Sequence, residues 1–262
     1  MRPSTSLAAT LFVALVCAVP ASAQEFHWTG RLAAGKRLEI RGTNGSIRAL
    51  PTTGDQIDVT ARKSARRSDP DEVEIKVVPF EDGVVICAVY PTPRRARHEN
   101  SCEPGDGGHS ETDNNDVEVD FTIKLPAGIA FDGSTVNGDV DADGLGADAW
   151  ASTVNGSVNV SAAGHVEAST VNGSIRASMG RADWTGDASF TTVNGGITLT
   201  LPAGVSTEVR ASTVNGDLET DFPLTVVGKW GPRRMRGTIG GGGSRTLELT
   251  TVNGNIQIRK AT

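Results

Sequence analysis

Apolar and polar residues alternate with period two along most of this chain. Val166, Ala168 and Thr170 form one such run, Val209, Ala211 and Thr213 another, and Leu247, Leu249 and Thr251 a third. The residues between them, such as Glu167, Arg210 and Glu248, are polar. Each run leads to an Asn-Gly pair, and the alternation resumes beyond it at Ile175 and Ala177, at Ile197, Leu199 and Leu201, and at Ile256 and Ile258. Strict alternation predicts half-buried β-strands with these apolar positions inward. Asn-Gly predicts a tight turn, because both residues tolerate positive φ. The predicted unit is strand, corner, strand.

The corner is spelled almost identically each time. Ser-Thr-Val-Asn-Gly stands at 134–138, 152–156, 169–173 and 212–216, Thr-Thr-Val-Asn-Gly at 191–195 and 250–254, and a worn Gly-Thr-Asn-Gly at 42–45. From Asn137 through Asn155, Asn172, Asn194 and Asn215 to Asn253 the intervals are 18, 17, 22, 21 and 38. The last reads as two periods of about 19, with one coil skipped. A meander of hairpins and a solenoid of stacked coils both suit such a unit. A hairpin needs only Asn-Gly, whereas stacking sets every corner residue on its counterpart and gives Thr and Val a reason to recur. The pattern therefore predicts an all-β solenoid of the right-handed β-helix type, with a repeat of roughly 17–22 residues.

From Phe26 to Tyr90 the same grammar continues in weaker form, and RLEIRGTNGSIRAL (Arg37–Leu50) parallels RTLELTTVNGNIQIR (Arg245–Arg259). Further strands are expected at Gln56–Ala61, Val73–Val78, Val84–Tyr90 and Val117–Leu125. The stretch 91–116 is polar, charged and rich in glycine, and reads as a surface excursion. Residues 24–262 read as one domain whose end coils must be capped, since an open sheet edge recruits other chains.

Residues 1–23 read as a secretory leader: Arg2, an apolar run at Leu7–Val19 and the small-residue site Ala21-Ser22-Ala23. The weaker alternatives are a buried helix and a lipoprotein signal at Cys17. The mature chain is expected to be exported, to the periplasm, cell surface or medium, with no transmembrane segment. Loss of Arg2 with the leader takes the formal charge from −6 to −7. An acidic chain with few aromatic residues does not suit nucleic acid. The two remaining cysteines, Cys87 and Cys102, are expected to form a disulfide closing a loop of about 15 residues. The rival is a zinc site from Cys87, His98, Cys102 and His109, whose spacing matches no standard zinc pattern.

Asp139, Asp141, Asp143 and Gly144 open like a calcium loop, but position 12 is Trp150 where a bidentate Glu is needed. Alternation turns these carboxylates to solvent. No nucleophile motif occurs, His27, His98, His109 and His165 are scattered, and the four tryptophans share no repeat position. No catalytic residue, metal or cofactor is assigned. The Asn-Gly-Ser sequons at Asn44, Asn155 and Asn172 read as corners. The basic segment Lys229, Trp230, Arg233, Arg234 and Arg236 interrupts the repeat. It is the candidate binding patch, for an anionic envelope polymer or an envelope protein. Its alternative role is edge protection, and Arg62, Lys63, Arg66 and Arg67 form a similar cluster.

The repeated STVNG blocks, the segment FPLTVVGKWGPRRMRGTIGGGG and the terminal LELTTVNGNIQIR resemble a bacterial adhesin family grouped with the toast-rack domains. The resemblance implies an extracytoplasmic β-solenoid and brings no catalytic residues. The resulting expectation is a non-enzymatic adhesin-like or envelope-associated binding and scaffold protein. A polysaccharide lyase or hydrolase on the same scaffold and an envelope-stress sensor acting through a protein partner are the alternatives.

Overall fold

The computed structural model describes residues 24–105, 107–227, 232–242 and 245–261. The expected leader lies outside them. Ahead of the regular repeats the chain forms β1 (Gln24–Gly30), β2 (Arg37–Arg41), β3 (Ile47–Thr52), β4 (Ile57–Ser64), β5 (Glu74–Phe80), β6 (Gly83–Val89) and β7 (Glu118–Pro126). The repeats follow as β8 (Ala130–Ser134) with β9 (Val140–Leu145), β10 (Ala149–Ser152) with β11 (Val158–Ala162), and β12 (Val166–Ser169) with β13 (Ile175–Met179). Next come β14 (Ala188–Thr191) with β15 (Ile197–Leu201), and β16 (Thr207–Asn215) with β17 (Leu218–Thr220). The chain closes with β18 (Thr225–Val227), β19 (Arg233–Ile239), β20 (Thr246–Asn253) and β21 (Ile256–Lys260).

The two arms of a repeat do not pair with each other. β8, β10, β12 and β14 lie side by side, parallel and in register, in an eleven-stranded sheet, while β9, β11, β13 and β15 do the same in a ten-stranded one. The protein is a flattened β-solenoid. Its core lies between the sheets and is made of the inward positions that the alternation marks, from Val166 and Ala168 to Ile256 and Ile258, all buried. Large and small residues complement one another there. A side chain on Gly133 would collide with the Phe131 ring, so the glycine makes room for that phenyl group.

Each letter of the corner has a separate physical task. The buried threonine hydroxyl donates to the corner glycine carbonyl of the neighbouring coil, as in Thr153 to Gly138 and Thr170 to Gly156, both 2.8 Å. The asparagines form a continuous ladder through Asn44, Asn137, Asn155, Asn172, Asn194, Asn253 and Asn215, in which each Nδ2 donates to the Oδ1 of the one before it at 2.8 Å. The valine faces solvent and is 37–43% exposed at Val154, Val171, Val193, Val214 and Val252. The glycine lets two coils approach, because a Cβ on Gly156, Gly173, Gly195, Gly216 or Gly254 would run into the glycine carbonyl of the adjacent corner. Positive φ is not the general reason: no corner asparagine has it, and among the corner glycines only Gly45 and Gly138 do. These corners are arcs between two sheets, and they are not hairpin turns.

The ladder also corrects the ruler read from the sequence. No coil is skipped between Asn215 and Asn253. The C-terminal pair β20–β21 inserts between β14–β15 and β16–β17, and the segment between the two asparagines folds back as β18 and β19 on the outer edge of β16. The other end repeats the device. β2–β3 lies between β6–β7 and β8–β9, with β5 antiparallel to β6, and β4 and β1 beyond β7. The first and last coils along the chain are thus sandwiched. Antiparallel strands cover the outer coils at β6, β7 and β16, leaving β17 as a three-residue edge strand.

Asn172 donates one ladder bond and accepts another. Asn172→Ala is expected to lower stability by about 1–3 kcal/mol, read as a lower urea midpoint at unchanged slope. Gly173→Ala, which forces two backbones apart, is expected to cost more than Asn172→Ala.

Candidate functional site

With one residue in two committed to the core, the outward residues of the eleven-stranded sheet are free to carry chemistry. Across one end of this face a register row reads Glu39, Asp132, Trp150 and Glu167. Across the other end it reads Ser189, Glu248, Arg210 and Arg236.

The antiparallel pairing of β19 with β16 sets Arg234 opposite Ser212 and Arg236 opposite Arg210. Together with Glu248 and Thr250 these residues border an open groove of about 800 Å³. Glu208 is the local counter-charge: its Oε1 lies 2.9 Å from Arg210 Nε and 3.9 Å from Arg236 Nε. The hydrogen bond and charge of Glu208 raise the Arg210 pKa. Arg234 has no acidic partner among the described residues, whereas Arg233 is paired with Asp217 at the coil edge. Of the candidate patch, then, Arg234 and Arg236 share one surface, Arg233 is tied to a carboxylate, and Lys229 and Trp230 lie outside the described residues. Arg210 joins the groove only through strand pairing, which no spacing in the sequence reveals. The second basic cluster is dispersed: Lys63 is buried with Nζ on the Val73 carbonyl at 3.1 Å, and Arg62 faces Asp120 at 4.0 Å.

At the opposite end, Cys87 on β6 and Cys102 in the excursion are joined, with Cα atoms 5.7 Å apart. The disulfide takes both cysteines of the zinc alternative, although the His98 and His109 rings do meet, 5.6 Å apart. The 91–116 segment replaces the corner of the β6–β7 coil and folds over the sheet. Gly105 N–H donates to Glu39 Oε2 at 2.8 Å, and the Thr43 and Ser110 hydroxyls are 2.6 Å apart. Glu39 is thereby fully buried, with Arg37 Nε 3.1 Å away. Arg41 bridges Glu39 (2.9 Å) and Asp132 (2.7 and 2.9 Å). Burial works against the Arg41 charge, but Asp132 and Glu39 more than offset it and raise its pKa. Tyr90, whose phenol donates to the Val117 carbonyl at 2.7 Å, is pushed up to about 12 by burial.

The excursion's far end is held by Asp116, whose carboxylate accepts the N–H groups of Ser68 (2.8 Å) and Arg67. The backbone bond from Ser68, then its hydroxyl, leads the causes that lower its pKa to about 2. Two of the three aspartates that suggested a calcium loop are engaged differently. Asp139 accepts from Ser157 N–H at 2.7 Å and Asp143 from the Ser161 hydroxyl at 2.5 Å, both on the next coil.

Residues 130–259 match the family described as Toastrack DUF4097. The coils beginning at β8 are similar to Toastrack domains. Two solved structures show a remote likeness to the chain. A "putative cell adhesion protein" from Clostridium sporogenes ATCC 15579 is 13% identical over 91% of this chain and 100% of that one, with a TM-score of 0.47. A "putative adhesin" from Bacteroides fragilis NCTC 9343 is 15% identical over 91% and 98%, with a TM-score of 0.36. No curated protein matches the chain. The Toastrack match starts at Ala130 and ends at Arg259, so the excursion and its disulfide lie outside it.

Reduction of Cys87–Cys102 is expected to lower stability by about 3 kcal/mol, the chain-entropy value for a loop of this size. Limited proteolysis should then cut within 91–116 before any repeat strand. The low Asp116 pKa makes its anchor fully effective above the ordinary value of 3.8 and lost as pH falls through about 2. A carboxyl-carbon NMR titration should therefore place its midpoint near 2, and a midpoint near 3.8 would show that the anchor is not formed.

Proposed function

We propose that this Toastrack-like protein is an exported, non-enzymatic binding module of the cell envelope, adhesin-like in role, built as one domain over residues 24–262. The observation that carries this reading is the groove across β20, β16 and β19. There Arg210, Arg234 and Arg236 gather on the outer face of an otherwise acidic chain. Guanidinium groups present planar donor pairs that suit carboxylate and phosphate. A rigid sheet holds them at fixed spacing, so little ordering accompanies binding. The chemistry fits an anionic envelope polymer, or an acidic face of an envelope protein. Lys229 and Trp230, close in sequence, are proposed to extend the same patch. Among the described residues no helix is long and apolar enough to cross a membrane. The carboxylates nearest this groove face arginines, as Glu208 does Arg210, and that arrangement suits charge complementarity better than proton transfer.

Purified protein should be retained by one fraction of the source cell's envelope. Retention should weaken sharply as salt shortens the screening length from about 10 Å at 0.1 M to about 3 Å at 1 M. Arg234→Ala with Arg236→Ala should abolish it, while retention indifferent to both salt and these substitutions would refute the proposal.

A further inference from the structure

The other end of the same face carries a site of different chemistry. Trp150 stands on the outer surface of β10, flanked in register by Asp132 on β8 and Glu167 on β12. Neither carboxylate is loose. Asp132 is gripped through both oxygens by Arg41, at 2.7 and 2.9 Å. Glu167 Oε1 is 2.8 Å from Nε2 of His165, itself only 6% exposed. Each carboxylate oxygen can accept more than one hydrogen bond, so these contacts fix the groups and leave acceptor sites open. Between and beside them lie the hydroxyls of Ser134, Ser152, Ser169 and Ser189. A hollow of about 210 Å³ bordered by Trp150 meets one of about 390 Å³ beneath the excursion at Asp132 and Ser152, which line both. The indole is also flanked by the Arg37 guanidinium at 5.9 Å and the His165 ring at 5.8 Å, so a ligand reaches it from the hollow. The floor runs from β2 to β12, three strand spacings or about 14 Å.

We infer that this groove binds a short stretch of neutral glycan, with a sugar ring stacked on Trp150. A pyranose ring offers a flat C–H face and a rim of hydroxyls. An indole supplies the apolar plate, and planar carboxylates set on both sides of it accept pairs of hydroxyl protons. The local charge disfavours anionic sugars: Asp132 and Glu167 face the groove, and Glu103 lines its deeper part. Arg41 is engaged by Asp132, Glu39 and the Ser134 hydroxyl, and Arg37, whose guanidinium lies 5.9 Å from the centre of the Trp150 ring, is 3.1 Å from the buried Glu39. The disulfide-pinned excursion forms one wall, so the site exists only where the repeat pattern is interrupted. This surface reaches Ser189, whose register partner Glu248 borders the arginine groove, but no residue lines both, so either can fail without the other.

The test is a glycan array of neutral and anionic oligosaccharides, with hits titrated by tryptophan fluorescence on the purified full-length protein. Variants Trp150→Ala, Ser152→Trp and Arg234→Ala/Arg236→Ala are first shown to melt as the parent does. At least one neutral glycan should bind with little dependence on salt. Its affinity should fall by about tenfold or more in Trp150→Ala, as for a truncated aromatic anchor. Ser152→Trp, which fills the groove, should weaken it similarly, and the arginine variant should leave it unchanged. Binding confined to anionic glycans, no glycan bound, or neutral-glycan binding that survives either groove substitution would overturn the inference.

Discussion

At each regular corner the glycine carbonyl of one coil comes so close to the glycine of the next that the rest of the stack must be built around the contact. Sheet hydrogen bonding sets neighbouring coils about 4.8 Å apart, and the corners must keep that spacing while the chain turns from one sheet into the other. There is no room for a Cβ at this contact. Once glycine stands there, the rest of the corner follows. The preceding asparagine lies directly on its counterparts, so donor meets acceptor along an unbroken ladder. The buried threonine satisfies a glycine carbonyl that the turn would otherwise leave without a partner inside the protein. The identical spelling of the repeats is a consequence of translation: a residue that suits one rung suits the next.

That constraint acts on the stack and not on the order in which the chain fills it. Both end coils are laid down out of sequence, with β2–β3 enclosed by β6–β7 and β20–β21 enclosed by β16–β17. A solenoid built strictly in order would leave its last coil, which has one neighbour, as its terminus. Here the coils nearest each end of the chain have neighbours on both sides, and of the outer rungs β6, β7 and β16 are covered by antiparallel strands while the short β17 is left as an edge. The candidate binding surfaces arise where the translation stops. The excursion takes the place of a corner at one end, and β19 brings its arginines alongside Arg210 at the other.

Much of the fold was legible because alternation and spacing report local geometry directly. The inward residues of β12, β13, β15, β16, β20 and β21 are those marked by period two, and the strands expected from Gln56, Val73, Val84 and Val117 begin within one residue of those positions. Interleaving was hidden because stacking energy depends on matching faces, which Asn194 shares equally with Asn215 and Asn253. An interval of 38 residues has no way to say whether it holds a coil or a return. The arginine groove was half visible: Arg234 and Arg236 stand out on an acidic chain, but Arg210 reaches them only through antiparallel pairing. Trp150 was hidden for a related reason. As a lone tryptophan at one repeat position it makes no ladder, and its setting between Asp132 and Glu167 exists only once three coils are stacked.

The most direct measurement is native-state hydrogen exchange resolved by segment. With β20–β21 enclosed between two coils, the amides of 247–258 should exchange as slowly as those of β12–β15, and more slowly than those of β17. Fast exchange throughout 247–258, with slow exchange in β17, would place the C-terminal coil at an open end and contradict the interleaved stack.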